Sequence, residues 1–167
     1  MKKILFLATF ILIGAIQNNL HAQAYIKVNP IALAWGSLNA SYEKVLSDKN
    51  SYELGANLLF GSGYTGVGAS AQYRFYITDS DAPKGLFLAP EVGATFGKYT
   101  VLGTGTSFTA FELGGLIGYQ WLFSNEKFSF QVGVGPAYYT GSSSSGSDFR
   151  YSGILPTGTL SLGYKLN

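Results

Sequence analysis

Charge in this chain follows the parity of a β-strand. In Val67–Ile77, the residues Val67, Ala69, Ala71, Tyr73, Phe75 and Ile77 fall on one face, and Gly68, Ser70, Gln72, Arg74 and Tyr76 on the other, as the two-residue period of an extended chain requires. The same alternation runs through Tyr52–Phe60, Thr109–Trp121, Phe128–Tyr138 and the end of Ile154–Leu166. Outside turns and loops, nearly all ionisable side chains (Glu43, Glu53, Arg74, Glu91, Glu112 and Lys165) share the small or polar face. An Arg or Lys facing hydrocarbon near a bilayer midplane costs about 2–4 kcal/mol, so this segregation is what a lipid-facing apolar wall selects. A soluble barrel of the lipocalin kind would put its apolar residues inside and its charges outside.

Three further segments, Lys27–Trp35, Leu38–Val45 and Leu86–Phe96, bring the expected strands to eight, the first alternating poorly. An even number of strands returns both chain ends to one side of a membrane, and closure removes edges that lipid cannot satisfy. The expected fold is therefore all-β: an eight-stranded, antiparallel, up-and-down transmembrane β-barrel after an N-terminal signal peptide. Only 12% of residues are charged and 16% are aromatic, against about 25% charged in an average soluble domain. Such a chain lacks the polar residues to face water all round.

The connections fall into two sets. Ser47–Ser51, Thr78–Gly85 and Phe123–Glu126 are tight and polar, as periplasmic turns are; Gly61–Gly66, Lys98–Ser107 and Thr140–Ser152 are richer in Gly, Ser and Thr, as extracellular loops are, while Gly36-Ser37 leaves almost no first loop. The run Gly141–Ser147 reads as a loop tip. Aromatic residues gather near strand ends, with Trp35, Phe60, Tyr64, Phe96, Tyr99, Phe108, Tyr138 and Tyr151 toward the outer side. Tyr52, Phe75, Tyr119, Trp121, Phe128 and Tyr164 lie toward the inner side, as two interfacial belts.

At the N-terminus, Lys2 and Lys3 precede the apolar run Ile4–Ile16, which is shorter than the roughly 20 residues of a spanning helix. This reads as a secretory signal over residues 1–22, with cleavage after Ala22 or Ala24, leaving 23–167 as one domain. Removing Lys2 and Lys3 takes the eleven basic residues to nine, against nine acidic ones. The neutral remainder gives no electrostatic reason to bind nucleic acid. The chain has no Cys, hence no disulfide or lipidated Cys to anchor it.

Chemistry is sparse. The one His, His21, lies in the signal, so the mature chain holds neither His nor Cys for nucleophile activation or for the usual transition-metal sets. No catalytic residue, metal or cofactor is expected. Gly61-Ser-Gly-Tyr-Thr-Gly66 spells a dinucleotide fingerprint but precedes a strand pattern rather than a helix. Asn39-Ala40-Ser41 spells a glycosylation acceptor inside a strand pattern. A carboxylate-pair hydrolase on Glu91 and Glu112 is the remaining enzymatic reading. The candidate site is instead a polar lumen network of Glu43, Glu53, Gln72, Arg74, Glu91, Glu112, Gln120, Gln131 and Lys165, because eight strands enclose a space that side chains fill.

Four segments carry a family resemblance: Asn39-Ala40-Ser41-Tyr42-Glu43, Ala71-Gln72-Tyr73-Arg74-Phe75-Tyr76, Phe87-Leu88-Ala89-Pro90-Glu91-Val92-Gly93 and Leu162-Gly163-Tyr164-Lys165-Leu166. On these the chain resembles the small outer-membrane β-barrel domain family of Bacteroidota, OmpX-like and similar to the OmpA membrane domain. The resemblance implies a Gram-negative outer-membrane location with periplasmic termini, assembly by the barrel-insertion machinery, lipid as the main partner and a monomeric state. It supplies no functional residues. The expected role is structural or surface-interacting, with an unspecified extracellular ligand. A narrow, porin-like channel for small solutes is the alternative, and a lipid-modifying enzyme ranks below it.

Overall fold

The computed structural model describes residues 23–101, 104–144 and 150–166. The expected signal peptide, its cleavage after Ala22 and parts of two outer loops lie outside the described residues. The strands are β1 (Ala24–Val28), β2 (Ser37–Ser47), β3 (Asn50–Leu59), β4 (Tyr64–Tyr76), β5 (Gly85–Val101), β6 (Thr104–Phe123), β7 (Phe128–Ser143) and β8 (Arg150–Lys165), with one short helix, α1 (Pro30–Ala34), after β1. Each strand pairs antiparallel with its sequence neighbour, and β1 pairs with β8 to close the barrel.

Stagger sets the barrel's dimensions. Partners traced round the wall from Tyr25 run through Glu43, Glu53, Gln72, Glu91, Gly114 and Ala137 to Leu155. The seam instead pairs Tyr25 with Lys165, ten residues on from Leu155 (155 to 165). With strands about 4.8 Å apart and about 3.3 Å of rise per residue, this shear tilts them by about 40°. Each residue then climbs about 2.5 Å along the axis, so the ten residues of β3 cover about 25 Å, the height of an outer-membrane apolar band.

The wall is uneven. β5 to β8 have 17, 20, 16 and 16 residues, against 5 in β1 and 10 in β3. They rise well above the other side at the end opposite the chain termini. Much of two expected loops is therefore strand: within Lys98–Ser107, β5 continues to Val101 and β6 starts at Thr104, the two paired in register, and within Thr140–Ser152, β7 continues to Ser143. Gly, Ser and Thr there read as loop by composition, yet cross-strand pairing fixes them. Gly61–Gly66 shrinks to a short turn, and β4 begins at Tyr64, so the fingerprint is followed by a strand.

The first strand is displaced from its expected place. Lys27–Trp35 was to be strand, but β1 ends at Val28 and Asn29 caps α1, its side chain accepting from the backbone N–H groups of Ile31 and Ala32 at 3.1 Å. Pro30 at the first helical position fits this start. Gly36 ends the helix with φ of +72°, and a Cβ there would stand 2.8 Å from the Cα of Gly61. The first connection is thus Asn29–Gly36, not Gly36-Ser37. Because β1 is short, it covers only Leu162–Lys165 of β8, and α1 packs beside β2 and reaches the upper part of β8. Among the described residues, no helix is long and apolar enough to cross a membrane, which does not bear on crossing by strands.

Side chains alternate as the sequence leads one to expect. Leu54, Leu58, Val67, Val92, Leu113, Ile117 and Val134 are exposed on the outer wall, while Lys27, Glu43, Glu53, Arg74, Gln120 and Gln131 are buried inside. The belts need correcting. Tyr64, Tyr99 and Phe108 share the inner parity, and the tilted rings of Tyr99 and Phe108 meet within the mouth with centroids 6.2 Å apart. At the turn end the expected residues Tyr52, Phe75, Tyr119, Trp121, Phe128 and Tyr164 lie in a dense group with Tyr42, Tyr73 and Phe130, in the contacts Tyr42–Tyr52, Tyr73–Phe75, Tyr119–Trp121–Phe130 and Phe128–Tyr164.

Candidate functional site

The interior is layered. At the turn end lies an apolar floor of Tyr76, Ala82, Phe87, Ala89 and Leu116. The β4–β5 connection builds part of it, because Ala82 and Pro83 tuck inward and Ala82 N–H donates to the Asp48 carbonyl at 2.7 Å. The expectation of a tight, polar turn at Thr78–Gly85 is corrected accordingly: Asp79, Asp81 and Lys84 are exposed, but Ala82 and Pro83 are buried and stopper the barrel. Gly118 makes room for the Phe87 ring, whose Cζ would stand 2.5 Å from a Cβ at that position.

Above the floor sits a closed ionic quartet. Lys27 Nζ lies 2.6 Å from Glu43 Oε2 and 3.0 Å from Glu53 Oε2. Arg74 reaches Glu43 Oε1 at 3.2 Å and Glu53 Oε2 at 2.6 Å. Two cations thus meet two carboxylates with almost no solvent contact. Buried charges persist only when paired and hydrogen-bonded, and the neighbouring amides and hydroxyls complete this. Gln131 Oε1 accepts from Lys27 at 2.6 Å and from Arg74 at 2.7 Å, and Gln120 Oε1 accepts from Lys27 at 2.9 Å. Ser51 and Tyr76 donate to Glu43 Oε1 at 2.5 and 2.8 Å. The Arg74 guanidinium also lies 4.8 Å from the centroid of the Phe87 ring, joining quartet to floor.

Between quartet and loop end lies a polar chamber of about 290 Å³. Gln72 bridges the two layers, accepting from Arg74 and donating to Glu91 Oε2 at 3.0 Å. Glu112 accepts from the Tyr139 hydroxyl at 2.7 Å. Gly55, Ser70 and Gly93 on the inner parity keep the chamber wide, and Ser70 is open to solvent.

Of the nine residues singled out from sequence, the structure brings Glu43, Glu53, Gln72, Arg74, Gln120 and Gln131 into one bonded cluster, with Glu91 and Glu112 lining the chamber above. Lys165 stands apart: it pairs with the turn residue Glu126 at 3.3 Å near the rim, not with the buried glutamates. The cation that does join them, Lys27, was missed, as were Ser51, Tyr76 and Tyr139. Lys27 lay at the uncertain edge of a misplaced strand. Its signal was the alternation in Ala24-Tyr25-Ile26-Lys27-Val28, which places Tyr25 and Lys27 on one face.

Glu91 and Glu112 face a chamber whose lining includes no His or Cys and whose one lysine, Lys27, is held by Glu43 and Glu53; no group of three or more His, Cys, Asp or Glu suited to a metal occurs among the described residues. Scans against protein-family models, curated proteins and solved structures each find no match to this chain.

Proposed function

We propose that the chain is an outer-membrane β-barrel protein of a Gram-negative bacterium, OmpX-like and of the kind found in Bacteroidota, with a nonenzymatic structural or surface-interaction role. The observation that carries this reading is the inverted wall: bulky apolar side chains exposed outside a closed barrel whose charges are buried within. In water that arrangement would leave an apolar surface far larger than soluble monomers tolerate; in lipid it is the stable one. On this reading residues 1–22 direct export, insertion is by the barrel-assembly machinery, the termini are periplasmic and the barrel works as a monomer. The raised wall of β5 to β8 then stands clear of the bilayer and offers the surface for an external partner.

The same interior favours this role over a channel. Arg74, Lys27, Gln120, Gln131 and Phe87 are 0–1% exposed, so floor and quartet together block the lumen. The test is to fold the chain in detergent, follow heat-modifiable gel mobility, and place it in a planar bilayer. A folded, heat-modifiable and electrically silent protein is expected. Steady unitary conductance would establish the channel reading instead, and a protein that stays monomeric in water without detergent would end the membrane reading.

A further inference from the structure

The chamber's charge is out of balance. Inside the barrel, among the described residues, Lys27 and Arg74 are matched by Glu43 and Glu53, and Lys165 by Glu126 at the turn end. That leaves two inward acids, Glu91 and Glu112, which accept from neutral side chains: Gln72 for Glu91 and Tyr139 for Glu112. Glu91 is only 8% exposed, and its Oε1 has no hydrogen-bond donor. Glu112, another acid, lines the same chamber. Two carboxyl groups sharing one enclosed space are stabilised by a shared proton or by a cation bound beside them.

The surroundings define the form of that charge. Glu112 Oε1 is taken by Tyr139, while Gly93 leaves Oε2 open to the chamber, a Cβ at Gly93 standing 3.5 Å from it. Asn39, Asn57, Ser70, Thr95 and Thr159 supply amides and hydroxyls around the remaining space. A hard divalent ion needs about six or more oxygen ligands at short range, and these two acids are not joined by a third. About 290 Å³ is also many times the volume of one ion and approaches the lower end, about 300 Å³, of small-molecule sites.

We propose that this chamber binds a small organic ammonium ion, its charge held by Glu91 and Glu112 and its body occupying the space that Gly93 leaves open. The charge imbalance lies inside the barrel and does not depend on what surrounds the wall, so the site goes beyond the surface role proposed above.

The probe is putrescine, with butane-1,4-diol as its uncharged counterpart, titrated calorimetrically into the full chain folded in uncharged detergent. Wild type is expected to bind putrescine and not the diol. Glu91→Gln and Glu112→Gln should each weaken binding tenfold or more, and the double variant should abolish it. Gly93→Leu keeps both acids but fills the space, and should also abolish binding. Heat-modifiable mobility establishes that each variant is folded. The proposal fails if folded wild type takes up no putrescine, which would mean that a proton shared between the two acids suffices. It fails equally if the diol binds as well as the diamine, if calcium binds in place of putrescine, or if the double glutamine variant binds undiminished.

Discussion

The guanidinium of Arg74 meets two carboxylates, three amides and one aromatic face: Glu43, Glu53, Gln72, Gln120, Gln131 and Phe87. No other side chain offers a planar fork with five donors and a stacking surface, so the position is specific for Arg. Arg74→Met leaves Lys27 alone against Glu43 and Glu53, one negative charge uncompensated in a dry interior, and is expected to cost about 3–5 kcal/mol, read from denaturant unfolding of the detergent-folded protein. Adding Glu53→Gln should return part of that loss, because the second change removes the stranded charge. Lys165→Ala, by contrast, breaks an ion pair whose partner Glu126 is half exposed, and such pairs contribute about 0–1 kcal/mol; its unfolding midpoint should barely move. Both residues have the same parity in the sequence, and only depth within the barrel separates them. That is why the sequence could group Lys165 with the glutamates but could not show that it stops at the rim. Lys27 was hidden for a different reason. The apolar run Ile31–Trp35 extends a strand-like composition beyond β1, and only the helix-start signal Asn29-Pro30 marks where the strand ends.

Strands were legible where one face met lipid-like apolarity and the other polarity, and less so where both faces are small. The middle segments of β3, β4, β6 and β7 coincide with the alternating runs, whereas the upper parts of β5 to β8 carry Thr, Ser and Gly on both faces and resemble loop. Their order comes from cross-strand pairing, a long-range property that no local window contains. At the seam, β8 is the element with an incomplete neighbour. Pro136 and Pro156 face each other across β7 and β8. Neither has an N–H, so this must be a pair whose backbone groups point away from one another. Pro156 thereby removes a donor from the side of β8 that short β1 leaves uncovered, which blunts an exposed edge. The outer face of β7 gives a direct test of the solvent. Val134 lies midway between Phe130 and Tyr138 and is 61% exposed. In lipid vesicles Val134→Arg should destabilise the barrel by about 2–4 kcal/mol. On the same face, Ser142→Arg in the raised part of the strand should change stability by no more than about 0.5 kcal/mol. Equal, small effects at both positions would mean that no hydrocarbon surrounds the wall.

The molecule as a whole is polar from end to end in a sense the parity pattern alone does not convey. Its turn end is stoppered by Ala82, Pro83 and Phe87 and ringed outside by aromatic pairs; its opposite end is tall on one side and opens onto the chamber. The even strand count, legible in the sequence, places the start of β1 and the end of β8 together at the stoppered end. A chain threaded into a membrane from the periplasm keeps its short turns and termini on the side it came from, since the hairpin tips alone must cross. Orientation is therefore a prediction of the fold and not an added assumption. The absence of native Cys makes it clean to measure. Ser142→Cys in the raised wall should react with a membrane-impermeant maleimide on intact cells, while Asn125→Cys in the β6–β7 turn should react only after the outer membrane is opened. Labelling of Asn125→Cys on intact cells with Ser142→Cys protected would invert the barrel. It would also turn the acidic chamber toward the periplasm, where its occupant would have to be drawn from the cell's own envelope instead of from outside.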